Sequence, residues 1–165
     1  MEDQEAFLRH AMETHGDAVY RLALCRLQNR AEAEDVYQDV FLTLLRQPER
    51  KWEQDHLKAW LLRTALHRCA DVKRRWLRHP VLPLEEIAGN TADTGEDAAE
   101  LWESVARLPG PMRMAVHLFY GEGYSTEEIA GLLDCSPATV RTRLYRAREK
   151  LRDLLGGYED GKPIS

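Results

Sequence analysis

A chain of 165 residues can hold one domain or two small ones, since single cores commonly serve roughly 50 to 200 residues. The formal net charge is −5 at pH 7, yet the acidity sits in the middle: residues 81–105 carry −7 with no Lys or Arg, against +1 in each flank, 1–80 and 106–165. No run of about 18 apolar residues offers a membrane span, MEDQEAFLRH is too acidic and polar for a secretory signal, and the widely spaced Cys25, Cys69 and Cys135 give neither a disulfide framework nor a structural zinc site.

Helical periodicity runs through most of the chain and strand alternation is nearly absent, so the expected fold class is all-α, as two small helical domains joined by a flexible acidic linker. Residues 5–15 predict a short amphipathic helix that Gly16 ends or breaks. Asp17 then caps a second helix carrying Val19, Leu22, Ala23 and Leu27, which stops near Asn29. Asn29 with Glu32 makes a capping pair for a third helix over about 30–47, whose buried stripe is Val36, Val40 and Leu44 with Phe41 and Leu45, and Pro48 terminates it. After a polar loop, a fourth helix over about 56–78 carries Leu57, Trp60, Leu61, Ala65, Leu66, Val72 and Trp76 and ends strongly basic.

From Pro80 to about Asp97 the periodicity dissolves into Pro, Gly, Thr and acidic residues, the composition of a linker. A fifth helix covers about 98–107 and breaks at LPGP; a sixth starts with Pro111 and ends at Gly121. Ser125 with Glu128 is a capping box for TEEIAGLLD, Asp134-Cys135 makes a tight turn, and Ser136-Pro137 opens a long last helix. Two helices meeting through so short a turn have the spacing of a helix-turn-helix, whose second helix lies in the DNA major groove.

Two basic stripes flank the acidic segment. Residues 56–80 hold seven basic residues against Asp71, and residues 138–152 hold six against Glu149. Either alone reads as a solvated face, but the pair is the electrostatic footprint of a polyanion ligand. On the last helix Val140, Leu144, Ala147 and Leu151 fall at helical spacing and must pack inward. Opposite lie Arg141, Thr142, Tyr145, Arg146 and Glu149, while Arg143 and Lys150 stand near the edges of the apolar side and suit phosphates. Arg141 and Arg146 can make bidentate contacts to guanine or phosphate, and Thr142 and Tyr145 can reach base edges, a thymine methyl or the backbone. A helix-dipole bias would gather cations in the last turn, whereas here they begin within the first turn and a half.

These residues carry a resemblance. VARLPGPMRMAVHLFYGEGYSTEEIAGLLDCSPATVRTRLYRAREKLRDLL resembles region 4 of the extracytoplasmic-function (ECF) sigma factors of bacterial RNA polymerase, in the sigma-70 superfamily, and HGDAVYRLALCRLQNRAEAEDVYQDVFLTLLRQ with AWLLRTALHRCADVKRRW resembles their region 2. The resemblance covers nearly the whole chain in the family's order. It implies region 2 over residues 1–80, a linker over 81–97 and region 4 over 98–158.

Carried over position by position, it implies that Asp35, Gln38 and Asp39 of EDVYQD bind the clamp helices of the polymerase β′ subunit, with the β flap as a further polymerase contact. Those three stand on one polar face, with Val36 and Val40 turned inward. The basic end of the fourth helix is assigned to the minus-ten element: Arg63, Thr64, His67 and Arg68 line its face, with Lys73, Arg74 and Arg75 toward phosphates. His67 departs from the smaller polar residue often seen there. The loop Arg46 to Asp55 corresponds to the segment that takes a flipped base, where Trp52 could stack, while Trp60 reads as core. Minus-35 recognition falls to Arg141, Thr142, Arg143, Tyr145, Arg146 and Arg148.

The resemblance thus implies a promoter-specificity subunit with core polymerase, promoter DNA and an anti-sigma factor as partners. The lack of an apolar span or secretory signal makes a cytoplasmic protein without membrane insertion the simplest expectation, and no cofactor or metal is expected. Two other readings stand beside it: a free-standing helix-turn-helix regulator, dimeric on paired half-sites, and a protein-interaction module such as a polymerase inhibitor. An enzyme is not expected, since no Gly-rich phosphate loop, metal-ligand cluster or nucleophile elbow is present.

Overall fold

The computed structural model describes residues 2–48, 51–79 and 96–155 and is helical throughout its regular elements. The chain divides into two compact units, Met1–Glu85 and Glu86–Ser165. Of the linker expected over 81–97, residues 81–95 lie outside the described residues, as do 156–158 of the expected second domain.

The first unit is a three-helix arrangement of α1 (Glu2–Leu27), α2 (Arg30–Leu45) and α3 (Gln54–Arg78). The break expected at Gly16 and the cap expected at Asp17 do not exist, because α1 runs through both without interruption. Its buried face continues as Ala11, His15, Ala18, Val19, Leu22, Ala23 and Leu27. One interior glycine costs about 1 kcal/mol against alanine, whereas each large aliphatic side chain buried by continuing the helix stabilises by roughly 1.5 to 3 kcal/mol. Tertiary burial therefore wins over the local breaker.

Between α1 and α2 the backbone reverses at Gln28, in the left-handed region with φ 52°. Asn29 then caps α2, its side-chain oxygen accepting from the Glu32 N–H at 3.0 Å. Ala33, Val36, Val40, Phe41 and Leu44 of α2 face Leu57, Leu61, Leu62, Ala65, Cys69 and Val72 of α3, all buried. Leu45, expected in the stripe, lies at its margin and is 37 % exposed. His15 is buried but satisfied, its Nε2 lying 2.8 Å from the Gln54 side-chain oxygen at the start of α3.

The second unit comprises α4 (Glu96–Ala106), α5 (Gly110–Val116), α6 (Thr126–Leu133) and α7 (Pro137–Leu154). The helix expected from Pro111 to Gly121 is not uniform: after Val116 it widens into a π turn over His117–Gly121, closed by the Glu122 N–H donating to the His117 carbonyl at 3.0 Å. That turn buries His117 with its Nε2 3.6 Å from a Glu122 carboxylate oxygen, both side chains 3 % exposed. Buried Arg113 is satisfied by donating from Nη1 to the Leu108 carbonyl at 2.7 Å. Around these lie Val105, Leu108, Met114, Leu118, Ile129, Leu132, Val140, Leu144 and Leu151, which form the core against which α7 packs.

Candidate nucleic-acid interface

The turn between α6 and α7 is built by local hydrogen bonds. Ser125 and Glu128 form a reciprocal capping box: the Ser125 hydroxyl accepts from the Glu128 N–H at 3.1 Å and the Glu128 carboxylate from the Ser125 N–H at 2.9 Å. Asp134 takes the left-handed conformation, φ 60° and ψ 46°, that short polar residues tolerate. The Cys135 N–H then donates back to Ala130 at 3.1 Å, and Ser136 caps α7 by accepting from the Thr139 N–H at 3.1 Å. Pro137 sits in the first turn, where its missing N–H costs nothing.

With α7 seated on Val140, Leu144, Ala147 and Leu151, its outer face carries Arg141, Thr142, Tyr145 and Arg146, all exposed, with Tyr145 61 % exposed. Arg146 has no ion pair among the described residues, and Arg141 lies in the field of Glu127 at the start of α6. Glu127's own backbone N–H, then the Thr126 hydroxyl, hold its carboxyl below the ordinary carboxylate range, and Arg141 adds to this. The other two cations of the expected minus-35 set are engaged inside the unit. Arg143 Nη1 lies 3.8 Å from the Cys135 sulfur, and Arg148 donates from Nε to the Tyr120 hydroxyl at 2.9 Å, with its guanidinium carbon 5.7 Å from the centre of that ring. Arg143 thus ties the helix to its turn, and Arg148 ties it to the π turn after α5.

In the first unit the basic face of α3 is laced with acids. Arg63 and His67 are exposed. Arg68 Nε lies 3.3 Å from an Asp39 carboxylate oxygen on α2, with its Nη2 donating to the Thr43 hydroxyl at 3.3 Å. Asp71 pairs with Arg74 on α3, and Arg75 pairs with Glu32 on α2. Thr64 donates its hydroxyl to the Trp60 carbonyl at 2.8 Å, and the Lys73 ammonium sits 5.3 Å from the centre of the Trp76 ring. The counter-ions Glu32 and Asp71 and the aromatic Trp76 were not among the expected site residues. Asp71 was legible at three-residue spacing from both Arg68 and Arg74; Glu32, on another helix, gave no such signal.

Trp52 and Trp60 form a tilted pair, centres 5.7 Å apart and planes at 57°. Trp60 is half-buried rather than core, and the two indoles make one aromatic surface. Beside it opens a cleft of about 520 Å³ lined chiefly by Phe7, Leu8, Leu44, Leu45, Pro48 and Trp52. On α2, Asp35, Gln38 and Asp39 are exposed on one face while Val36 and Val40 are buried beneath them. No three His, Cys, Asp or Glu side chains among the described residues converge as metal ligands, and no helix there is long and apolar enough to cross a membrane.

Both units match known protein families. Residues 11–78 match the Sigma-70 region 2 family and residues 98–151 the Sigma-70, region 4 family. The chain is 32 % identical over 163 residues to ECF RNA polymerase sigma factor SigM of Mycobacterium tuberculosis, covering 97 % of this chain and 80 % of that protein. It is 31 % identical over 163 residues to RNA polymerase sigma factor CarQ of Myxococcus xanthus, covering 94 % and 90 %. In fold it resembles the sigma factor RpoE of Bartonella quintana, solved with the anti-sigma factor NepR, at a TM-score of 0.73 and 21 % identity over 89 % of this chain and 95 % of that one.

Proposed function

The chain belongs to the ECF sigma factors of the sigma-70 family, and from that membership we propose how its two units divide promoter recognition. As a sigma factor it is a specificity subunit that joins core RNA polymerase and directs initiation. The second unit reads the minus-35 element by laying α7 in the major groove. Arg141 and Arg146 supply bidentate contacts, Thr142 and Tyr145 touch base edges or sugar, and Arg143, held at the turn by Nη1 against the Cys135 sulfur, offers its remaining guanidinium N–H groups to phosphate.

The first unit opens and holds the minus-ten element. Opening needs no covalent step; it needs a surface that binds unpaired bases better than the duplex does. The Trp52–Trp60 pair and the adjacent cleft offer stacking and room for an unstacked base, while Arg63, Thr64, His67, Arg68, Lys73, Arg74 and Arg75 supply positive potential along the strand. Asp35, Gln38 and Asp39 are the surface offered to the β′ clamp helices, leaving the β flap to the second unit. An anti-sigma factor, as NepR is to RpoE, would restrain the protein by covering these surfaces. The protein acts in the cytoplasm with polymerase, and no catalytic role is assigned to it.

The observation that carries the reading is the exposed Arg141, Thr142, Tyr145 and Arg146 face on the second helix of a well-capped helix-turn-helix. Its test is initiation by purified core polymerase on a promoter library, with and without the protein. Initiation only in its presence, at a defined sequence class, supports the reading. Tight sequence-specific binding by the protein alone, with no effect on initiation, would instead identify a free-standing regulator.

A further inference from the structure

The expected polymerase-docking face and the expected minus-ten face of the first unit meet in one ion pair. Asp39 of α2 and Arg68 of α3 lie 3.3 Å apart, with side chains 57 % and 37 % exposed. Arg68 Nε is shielded from solvent yet makes no hydrogen bond, so charge rather than directed bonding holds it toward Asp39. Its other nitrogens are steadied by the Thr43 hydroxyl at 3.3 Å and an Asp71 carboxylate oxygen at 3.9 Å.

We propose that Asp39 and Arg68 form an exchange contact: off polymerase Asp39 masks the Arg68 charge from DNA, and docking on polymerase takes up Asp39 and releases Arg68 toward the minus-ten strand. The proposal rests on the reading of Asp39 as a docking residue and Arg68 as a DNA-facing one. Geometry gives the exchange its form. Asp39 is open enough to be reached by a partner from outside, and Arg68 retains Thr43 and Asp71, so it stays placed when Asp39 leaves. A partly exposed pair biases an equilibrium by only about two- to five-fold, which makes the contact exchangeable rather than locked. Neighbouring pairs point the same way, since Arg74 with Asp71 and Arg75 with Glu32 also neutralise cations of this face from within.

The test uses the full chain without polymerase and a fluorescein-labelled pool of single-stranded DNA 12-mers. Asp39→Asn removes the charge at constant shape; Asp35→Asn, an exposed carboxylate one turn away, reports the general effect of one fewer negative charge. Asp39→Asn should tighten binding about two- to five-fold beyond Asp35→Asn. It should also steepen the dependence of log K on log salt concentration by about 0.7, the increment for one further phosphate contact on a single strand. In an Arg68→Ala background both differences should vanish. Equal behaviour of the two Asn variants, or a gain that persists without Arg68, overturns the proposal. If Arg68→Ala leaves promoter opening by the holoenzyme unchanged, the DNA-facing assignment itself fails, and the proposal falls with it.

Discussion

Gly16 of α1 and Tyr37 of α2 meet where a side chain on the glycine has almost no room: a Cβ at residue 16 would lie 3.0 Å from the Tyr37 hydroxyl oxygen and 3.3 Å from Cε2. Tyr37 is itself packed against Phe41, ring centres 4.9 Å apart. Two opposed effects then set the outcome of Gly16→Ala. Helix propensity favours alanine by about 1 kcal/mol, and crowding against the hydroxyl opposes it. The net change in the single variant should be small. In a Tyr37→Phe background the nearest atom is gone while the ring carbon at 3.3 Å remains, so Gly16→Ala should be more favourable than in the parent, by up to about 1 kcal/mol in urea denaturation. Equal effects in the two backgrounds would show that the close approach is not what keeps glycine there.

Cys69 gives a pH-dependent expectation. Burial pushes its thiol up to about 12, with Arg26 and Lys73 pulling weakly the other way. The folded state therefore keeps its proton over a range where the unfolded chain, with an ordinary thiol, loses it. Above the unfolded value, about pH 8.5, the unfolded state binds fewer protons than the folded one, and stability falls as pH rises toward about 12. Cys69→Ala should flatten this alkaline limb. At pH 8 a thiol reagent should label the partly exposed Cys25 and Cys135 quickly and Cys69 only after unfolding. Labelling of Cys69 at the rate of the other two would contradict its burial.

The features read correctly from the chain alone are those whose cause is local. Val140, Leu144, Ala147 and Leu151 define the buried side of α7 by spacing, and Ser125 with Glu128 announces its own cap; both appear as expected. Gly16 misled because its local signature as a breaker is real but weaker than the burial of Val19, Leu22 and Leu27 on one continuous helix. The π turn at His117 had no legible sign: the segment reads as continuous helix, and the buried approach of His117 to Glu122 that accompanies the turn is seen only in the folded unit. Glu32 looked like half of a capping pair, and its backbone N–H does meet Asn29. Its carboxylate instead crosses to Arg75, far along the sequence on α3, a pairing that only the helix packing determines.

The capping box permits a clean stability measurement. Ser125→Ala leaves the Glu128 N–H without its acceptor and removes one half of the reciprocal pair, so it should destabilise the second unit by about 1 kcal/mol. Ser125→Asp, which keeps an acceptor at that position, should restore most of the loss. Since α6 supports the turn into α7, minus-35 selectivity at temperatures well below melting should be unchanged in both variants. A loss of selectivity at low temperature would mean that the cap also sets the placement of α7 on DNA or that Ser125 itself touches DNA.

Arg148 and Arg146 stand two residues apart on α7, carry the same charge, and should behave differently. Arg146 projects outward with no ion pair among the described residues, whereas Arg148 is held by the Tyr120 hydroxyl at 2.9 Å and lies over that ring. Arg146→Ala, like Arg141→Ala, should leave the melting temperature within the range of surface substitutions and cost about 1 to 3 kcal/mol of discrimination at a minus-35 base. Arg148→Ala should instead lower stability by roughly 0.5 to 1.5 kcal/mol through the lost hydrogen bond and ring contact, with discrimination among bases retained. Tyr120→Phe removes only the hydroxyl and should reproduce part of the Arg148→Ala loss, and the two changes together should be less than additive. If Arg148→Ala alters base preference while Tyr120→Phe does not, the guanidinium leaves Tyr120 on DNA, and Arg148 joins the reading face of the helix.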